Sequence, residues 1–351
     1  MSPQAPVETI IEPDLPIIDP HHHLWFLPEA SVRAIGSQDN ALSRAMTSVL
    51  RHHAHYMFDE LMADLQSGHN VRATVAVEAH VMYRAAGPEV MRSVGEVEFL
   101  NGVAAIAASG LFGETRACAG IVGGVDLALG DAVKDVLFAH IQAGGGRYRG
   151  IRARYTAYDD DTSILGSGSS RPQLLLDTKF RSGFKHLQPM GLSCDMWLYE
   201  PQLPDLINFA SAFSDTQIIL CHVGSPLGVG RYAGRLPERF PIWRDNIRAL
   251  SQFPNVAVKL GGLGLPLRGF NFAPSAGSAE LAKAWAPYIE TCIEAFGVHR
   301  CMFESNFPMD SGTCSYAVLW NAFKRTVSGA SRDEKAALFY GTAARMYRLD
   351  L

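Results

Sequence analysis

Eight short apolar runs rich in Val and Ile recur along the 351 residues, and a longer stretch with helix-like spacing of apolar residues follows each of them. Such alternation is typical of successive βα units around a parallel sheet. Eight units are the number that closes into a (β/α)8 barrel. We therefore predict an α/β fold, a single TIM-barrel domain over residues 1–351 with long βα loops and an N-terminal extension over 1–15.

The predicted strands cover residues 17–19, 73–78, 119–125, 150–154, 193–198, 217–220, 256–260 and 301–304. Ser331-Arg332-Asp333-Glu334 has the pattern of a capping box and predicts a last helix that runs to about residue 348. A doubly wound sheet also alternates strands and helices, but it usually has a glycine-rich phosphate-binding turn after its first strand. This chain has histidines at that turn, which favours the barrel.

Composition limits the partners that the chain can have. The formal charge is -4, and no Lys/Arg cluster interleaved with aromatic residues is present, so we expect no nucleic-acid partner. The first residues lack the basic and apolar regions of a signal peptide, and no apolar run is long enough for a membrane span. Six scattered cysteines without a CxxC pair favour reduced thiols. We expect a cytoplasmic protein with a small-molecule substrate; a homo-oligomer is compatible with the sequence.

Polar side chains follow several predicted strands, and the carboxyl ends of barrel strands line the active site. The first strand ends in His21-x-His23, and residues two apart in an extended segment point to the same side. His222 follows the sixth strand and precedes a Gly-Ser-Pro turn, within reach of the first pair. These three histidines are the predicted metal ligands for zinc or manganese, and a metal-free site fits the same residues.

Charged residues at other strand ends suit a substrate that carries a carboxylate. Arg152 and Arg154 are two apart on the fourth strand, and a planar guanidinium binds a carboxylate through two hydrogen bonds. Glu78, which ends the second strand, is either a substrate contact or the partner of an arginine. Lys259 is likewise either a substrate contact or a charge partner. The predicted substrate contacts are Arg152, Arg154, Glu78, Lys259 and Tyr199.

Four motifs in order along the chain resemble the amidohydrolase-related branch of the amidohydrolase superfamily: Ile18-Asp19-x-His21-x-His23-x-Trp25, His222-Val-Gly-x-Pro226, Val258-Lys259-Leu260-Gly261 and Glu304-Ser305-Asn306-Phe307-Pro308. The chain is most similar to the group that includes 2-pyrone-4,6-dicarboxylate lactonase. The resemblance implies a TIM-barrel hydrolase with a first-strand histidine pair, a sixth-strand histidine and an eighth-strand carboxylate. In metal-dependent members these residues bind a divalent ion. In the pyrone lactonase, arginines and histidines hold the substrate and an Asp activates water.

The eighth-strand motif departs from the family pattern Gly-Ser-Asp-x-Pro. Asn306 stands at the position of the Asp, and a neutral amide cannot act as a general base. The carboxylates that could take the role are Glu78, Glu200, Glu304 and Asp310. We predict Glu200, because it ends a strand facing the same mouth and partial burial can raise a Glu pKa toward neutrality. The predicted catalytic residues are thus Glu200, His222, Asn306 and Asp310.

These residues predict a hydrolase that opens a lactone or related cyclic ester of a carboxylate-bearing small molecule. The three histidines would orient or polarise the carbonyl, and Glu200 would activate water. One alternative is a metal-dependent decarboxylase or an amidase on the same barrel, because one fold supports several reactions. The other is a non-catalytic protein that binds a small acid, which the missing eighth-strand Asp favours.

Overall fold

The computed structural model describes residues 8–166, 171–273 and 276–351, and it places eight strands in one parallel sheet. Each strand pairs with the next one along the chain. The predicted (β/α)8 barrel is confirmed. The strands, β1 to β8 in chain order, are Pro16–His22, Asn70–Val77, Arg116–Val125, Tyr148–Ala153, Ser193–Met196, Ile218–Leu220, Val256–Leu260 and Cys301–Phe303.

The barrel closes between β1 and the turn that follows β8. A parallel bridge joins His22 to Phe307, and the backbone N–H of His23 donates to the carbonyl of Phe307 at 2.7 Å. The N–H of Asn306 donates to the carbonyl of His21 at 2.9 Å. The closure therefore uses the two segments that carry the first-strand histidines and the eighth-strand motif.

Helices cover the outside of the barrel after every strand. Asn40 caps the helix Ala41–His53 by accepting a hydrogen bond from the N–H of Ser43, which satisfies one of its orphan donors. Further helices are Glu29–Gly36, Phe58–Leu65, Val94–Ala108, Val133–Ala143, Thr178–Phe184, Leu203–Ala212, Leu236–Leu250, Ser278–Phe296 and Tyr316–Thr326, with a single short turn at Thr162–Leu165.

The last helical segment begins at the capping box that the sequence predicts. The hydroxyl of Ser331 accepts from the N–H of Glu334, and the Glu334 carboxylate accepts from the N–H of Ser331. The helix Arg332–Ala336 continues through a π-helical turn, Ala337–Gly341, into Thr342–Met346. Beyond it, Tyr347 packs into the apolar cluster that the strands form with residues such as Ile18, Val75 and Met302.

A second apolar cluster lies at the carboxyl ends of the strands. Its members come from segments that follow β1, β4, β5, β6 and β7, and we call it the cap cluster: Ala41, Ala45, Ala157, Ile164, Leu165, Tyr199, Leu227, Tyr232 and Leu267. Because it packs the βα loops against one another, it shields the barrel mouth from water.

Two glycine-to-alanine substitutions should change stability in opposite directions. A Cβ on Gly150 of β4 would lie 2.5 Å from the carbonyl oxygen of Ser193 on β5, so Gly150→Ala should lower the free energy of unfolding by about 1–3 kcal/mol. Gly102 lies within the helix Val94–Ala108 with no atom near its Cβ position, so Gly102→Ala should raise it by about 0.5–1 kcal/mol. Urea unfolding measures both, and changes of the same sign would contradict this packing.

Candidate active site

The two histidines at the end of β1 turn to the same side. Nε2 of His21 lies 3.3 Å from Nε2 of His23, and both rings are buried. His22, between them, points the other way, where its Nε2 lies 2.8 Å from the hydroxyl of Thr74 on β2. The ring of His23 also stacks on Trp25, with the centroids 6.1 Å apart. The two-residue spacing therefore produces a close imidazole pair at the mouth of the barrel.

His222 joins this pair from the end of β6. Its ring centroid lies 4.7 Å from that of His21. The backbone of His222 has a φ of 56°, a left-handed conformation that is uncommon outside glycine and is often found at functional sites. Gly262, also at positive φ, leaves the room that this turn needs, because a Cβ there would lie 2.7 Å from the Cβ of His222.

Glu304 bridges two of the three imidazoles. Its Oε1 lies 2.7 Å from Nδ1 of His222 and also accepts from the backbone N–H of His222 at 3.0 Å. Its Oε2 lies 2.7 Å from Nδ1 of His21. The Glu304 side chain fits because residue 261 is glycine: a Cβ on Gly261 would lie 2.5 Å from Cγ of Glu304. One buried carboxylate thus contacts histidines from the first and sixth strands of the barrel.

Hydrogen bonds fix where the protons of two rings lie. Nδ1 of His23 is 2.9 Å from the carbonyl oxygen of Val77, which can only accept, so Nδ1 carries the proton and Nε2 keeps its lone pair. The Glu304 carboxylate favours a proton on Nδ1 of His222 in the same way. These rings therefore present basic nitrogens on the side away from their partners.

Burial keeps all three imidazoles neutral. It lowers the pKa of His23 to about 3, and burial with nearby cations lowers the pKa values of His21 and His222 well below their usual range. Burial also raises the pKa of Glu304 to about 7. Neutral imidazoles are the form that can accept a proton or bind a metal.

Lys259 of β7 contacts both His21 and the residue before it. Its ammonium donates to the carbonyl of Pro20 at 2.8 Å and to Asp195 at 2.6 Å, and it lies 3.2 Å from Nδ1 of His21. The hydroxyl of Tyr347 donates to Asp195 as well. Burial alone would lower the pKa of Lys259, but Asp195 holds it above its ordinary value. Of the two roles predicted for Lys259, these contacts are those of a charge partner.

Glu78 and Arg152 form a buried ion pair at the ends of β2 and β4. Nε of Arg152 donates to Glu78 at 2.6 Å, and its guanidinium also stacks over Trp197, 5.6 Å from the ring centroid. Burial would raise the pKa of Glu78, but Arg152 and His80 outweigh it and hold the pKa well below its usual range. Glu78 thus has the arginine partner that was one of its two predicted roles.

Arg154 has different surroundings from Arg152, although the two were expected to share a face. Its guanidinium lies 4.8 Å from the ring centroid of Tyr155 and 5.8 Å from that of Tyr83. Its Nε is buried without a hydrogen-bond partner among the described residues. The predicted pair of arginines is therefore divided between an ion pair and an aromatic stack.

Asn306 and Asp310 form a linked pair in the turn after β8. The side-chain amide of Asn306 donates to Oδ1 of Asp310 at 2.9 Å, and the N–H of Gly264 donates to Oδ2 at 3.0 Å. Burial raises the pKa of Asp310 to about 7. Each Asp310 oxygen therefore accepts a hydrogen bond, and the Asn306 nitrogen donates to Asp310.

The structure does not bring Glu200 to the imidazoles. β5 ends at Met196, and Glu200 begins the turn that leads into the helix Leu203–Ala212. Its carboxylate forms a buried ion pair with Arg239 of the next helix, at 2.5 Å. The carboxylate among the histidines is Glu304, two residues before Asn306. The adjacent glycines 261 and 262 were the sequence signal for the space that this side chain occupies.

The donor atoms at this site fit a divalent cation. Among the described residues, two groups lie close enough to hold one: His21, His222 and Glu304, and His21, Asp195 and Cys221. Lys259 already binds Asp195, and Glu304 lies against Nδ1 of both His21 and His222, so the nitrogens that remain for a cation on the three histidines are their Nε2 atoms. The 3.3 Å between Nε2 of His21 and Nε2 of His23 is close to the roughly 3.3 Å that separates two nitrogens at about 2.0–2.1 Å from tetrahedral zinc.

A family model described as Amidohydrolase matches residues 18–349 of the chain. The protein y4mH of Sinorhizobium fredii (strain NBRC 101917 / NGR234) is 33% identical over 336 residues, which cover 96% of this chain and 99% of y4mH. The chain therefore belongs to the amidohydrolase family, and the resemblance that its motifs showed is confirmed.

The chain is also similar to a curated enzyme and to crystal structures from Burkholderia multivorans. L-fucono-1,5-lactonase (strain ATCC 17616 / 249) is 30% identical over 178 residues, 49% of this chain and 57% of the lactonase. Crystal structures of an amidohydrolase, with bound zinc or bound HEPES, match with TM-scores of 0.72 and 0.71 at 24% and 26% identity, and each comparison covers 95% of this chain and 99% of the other. No helix in the described part of the chain has the length and apolarity that a bilayer crossing needs.

The raised pKa of Glu96 predicts how the free energy of unfolding changes with pH. It is buried on the helix Val94–Ala108 and accepts from the backbone N–H groups of Ala79 and Val81 after β2. Burial, and then repulsion by Glu78, raise its pKa from 4.5 to about 8. Between those pH values the carboxyl group is ionised in the unfolded chain but still protonated in the folded chain. The free energy of unfolding therefore falls as pH rises, by up to about 1.4 kcal/mol per pH unit.

Glu96→Gln keeps the acceptor oxygen but cannot ionise. Urea unfolding from pH 5 to pH 9 should therefore show the free energy of unfolding falling less steeply in the variant than in the wild type. Parallel profiles over this range would contradict a raised pKa at Glu96.

Proposed function

We propose that the chain is a hydrolase that opens a lactone or related cyclic ester of a small carboxylate-bearing molecule. The observation that carries this proposal is the carboxylate bridge, in which Glu304 lies 2.7 Å from Nδ1 of both His21 and His222. A carboxylate on Nδ1 fixes the ring tautomer and makes Nε2 more basic. Attack of water on a carbonyl requires such a base or metal ligand next to groups that polarise the carbonyl.

In this proposal His222 accepts a proton from water through Nε2 as the water oxygen bonds to the lactone carbonyl carbon. The imidazolium that forms is stabilised by Glu304. When the ring C–O bond breaks, His222 returns the proton to the leaving alkoxide, so that water and lactone give one hydroxy acid. Arg152, whose guanidinium faces Trp197, is the proposed contact for the charged part of the substrate.

His21, His23 and His222 would hold a zinc or manganese ion through their ring nitrogens. When bound, the ion would lower the pKa of water and polarise the carbonyl, so the imidazoles would act as ligands. Glu304 has the same task in both forms of the site, because it hydrogen-bonds Nδ1 of His222 and lies within ion-pair distance of Nδ1 of His21.

The similarity to L-fucono-1,5-lactonase supports a lactone as the substrate class, although it covers half of the chain. Neutral imidazoles keep their lone pairs near neutral pH, as a proton acceptor or a metal ligand requires. A cytoplasmic location belongs to the same proposal, and it is supported by six cysteines that are all buried and unpaired, as in a reducing compartment.

The first test compares two carboxylate variants. Glu304→Gln should lower kcat/KM for lactone hydrolysis by about 10²–10⁴, because the neutral amide no longer stabilises the protonated imidazole. Glu200→Gln breaks only the ion pair with Arg239 and should leave kcat/KM within about threefold. Proton release from a panel of aldonolactones and carboxylated lactones measures both, with thermal unfolding as a check on folding.

If Glu200→Gln were inactive and Glu304→Gln active, Glu200 would be the residue that activates water. Carbon dioxide is measured in parallel, since its release without ring opening identifies a decarboxylase. Binding of small acids without turnover of any lactone identifies a non-catalytic protein.

The second test measures metal content in protein purified without a His-tag or chelator. We expect about one zinc or manganese per chain, lost in His21→Ala and kept in His299→Ala, because His299 is exposed and outside the site. Elemental analysis gives the stoichiometry. A content far below one after incubation with either metal would contradict this expectation and leave His222 as the base.

A further inference from the structure

The imidazoles of the candidate active site are closed off from solvent. His21, His23 and His222 are only 0%, 4% and 3% exposed. The barrel interior beneath them is filled by the apolar cluster that includes Ile18 and Tyr347, so a ligand has to arrive from the carboxyl ends of the strands. Those ends are covered by the loops that the cap cluster packs together. Part of this cover must therefore move before a ligand reaches the histidines.

One segment of the cover lies after β4. We call residues 159–165 the flap; it contains the short helix Thr162–Leu165, and its Ile164 belongs to the cap cluster. Leu227, from the segment after His222, belongs to the same cluster. The apolar side of the flap is thus packed together with the chain that follows the proposed base.

The chain just before the flap is fixed by hydrogen bonds to the segment after β5. The N–H of Tyr158 donates to the side-chain oxygen of Gln202 at 2.9 Å, and the side-chain amide of Gln202 donates to the carbonyl of Thr156 at 2.8 Å. At its other end the flap is followed by Gly166 at a φ of 77°, a residue type with wide conformational freedom. The flap thus has one fixed end and one end that can absorb a change of dihedral angles, as a hinged segment requires.

Arg231, on the loop after β6, holds the polar side of the flap. Its Nη2 donates to Asp159 at 2.9 Å and to Asp160 at 2.8 Å, and its backbone N–H donates to Oδ2 of Asp161 at 3.0 Å. The hydroxyl of Tyr232 adds a hydrogen bond to Asp159 at 2.8 Å. We call Arg231 and the three aspartates the latch.

The latch depends on a single cation. Three successive carboxylates repel one another, and among the described residues Arg231 is the cation that forms ion pairs with them. Its side chain is 45% exposed, so each of these ion pairs is weak and is screened by salt. The fully buried pair of Lys259 and Asp195 inside the barrel has no such access to solvent. The latch can therefore open while the barrel stays folded.

We propose that the flap is a gate over the imidazoles: the latch holds it closed, and a ligand reaches His21, His23 and His222 when the latch releases and the flap moves away from the cap cluster. The gate controls access and is separate from the proposed hydrolysis, so it applies to any ligand that the imidazoles bind. When it closes behind a ligand, it excludes water from the reacting groups.

A disulfide between the flap and the loop after β6 tests the gate without turnover. A Cβ on Gly230 would lie 3.1 Å from the hydroxyl oxygen of Ser163, so the Cβ atoms of Ser163→Cys/Gly230→Cys fit the roughly 3.5–4.5 Å that a disulfide spans. Gly230 has a φ of 57°, and the same Cβ would lie 2.5 Å from Oδ2 of Asp161. The comparison is therefore between the oxidised and reduced forms of one double variant, which share the strain of the substitution.

Diethyl pyrocarbonate, a small reagent that modifies neutral imidazoles, measures access, and mass spectrometry of the peptides identifies the modified histidine. His222 should react at least about tenfold more slowly in the oxidised form, because a locked flap removes the open population through which the reagent enters. His299 is exposed and should react equally in both forms. His140, buried between Ser93 and Tyr148, should stay unmodified in both, since its reaction would indicate global unfolding.

Arg231→Gln tests the latch without any added cysteine. It leaves three carboxylates without their cation, and His222 should react about three- to tenfold faster than in the wild type, since exposed ion pairs are individually weak. Arg235→Gln is the matched control, because the Arg235 side chain is 47% exposed and pairs with Glu238 instead of the flap. It should leave the rate unchanged. Sodium chloride at about 1 M should accelerate the reaction in the wild type but not in Arg231→Gln.

Equal modification of His222 in the oxidised and reduced forms would overturn the gate, as would equal rates in Arg231→Gln and Arg235→Gln. Modification of His140 in step with His222 would also overturn it, because the whole protein would then be unfolding. If a lactone is hydrolysed, oxidation of the double variant should stop turnover and reduction should restore it. Gated modification without hydrolysis of any lactone would keep the gate and reject the proposed hydrolysis, and turnover that oxidation does not change would do the reverse.

Discussion

The closure of the barrel between β1 and the turn after β8 is the constraint on which the rest of the site depends. It joins His22 to Phe307 and ties Asn306 to the backbone of His21. Because the two ends of the sheet meet there, a carboxylate from the last strand can contact histidines from the first and sixth strands. The imidazole cluster is thus a product of closure, since no two of its three chain segments are neighbours in sequence.

Desolvation determines the chemistry of this cluster. The cap cluster and the loops around it exclude water, so the imidazoles lose their protons and the carboxyl groups of Glu304 and Asp310 gain affinity for theirs. Because water is excluded, each permanent charge at the mouth is costly to bury unless an opposite charge lies close to it. Lys259 and Arg152 form ion pairs within the chain, whereas Arg268 forms none with the described residues and is attracted to Asp310 and Glu304 from farther away.

Sequence reasoning predicted the barrel, its eight strands and the histidine pair, because these features depend on local periodicity: apolar runs and a two-residue spacing. It did not place Glu304 between the imidazoles, since that requires knowing that Gly261 leaves space on the neighbouring strand. Glu200 was chosen as though β5 extended to residue 198, but the strand ends at Met196 and Glu200 lies in the turn that leads into the next helix. Arg268 lies in a loop without periodicity, so only the fold reveals that it is buried.

The fit between Glu304 and Gly261 has a consequence for how such a site changes during evolution. A Cβ at residue 261 would lie close to the backbone carbonyl oxygen of residue 304 as well as 2.5 Å from Cγ of Glu304. The backbone contact remains whatever side chain stands at residue 304, so a descendant that moves its carboxylate to residue 306 would still need glycine at residue 261. The constraint thus runs in one direction, from the backbone of the last strand to residue 261, while residue 304 itself is free to change.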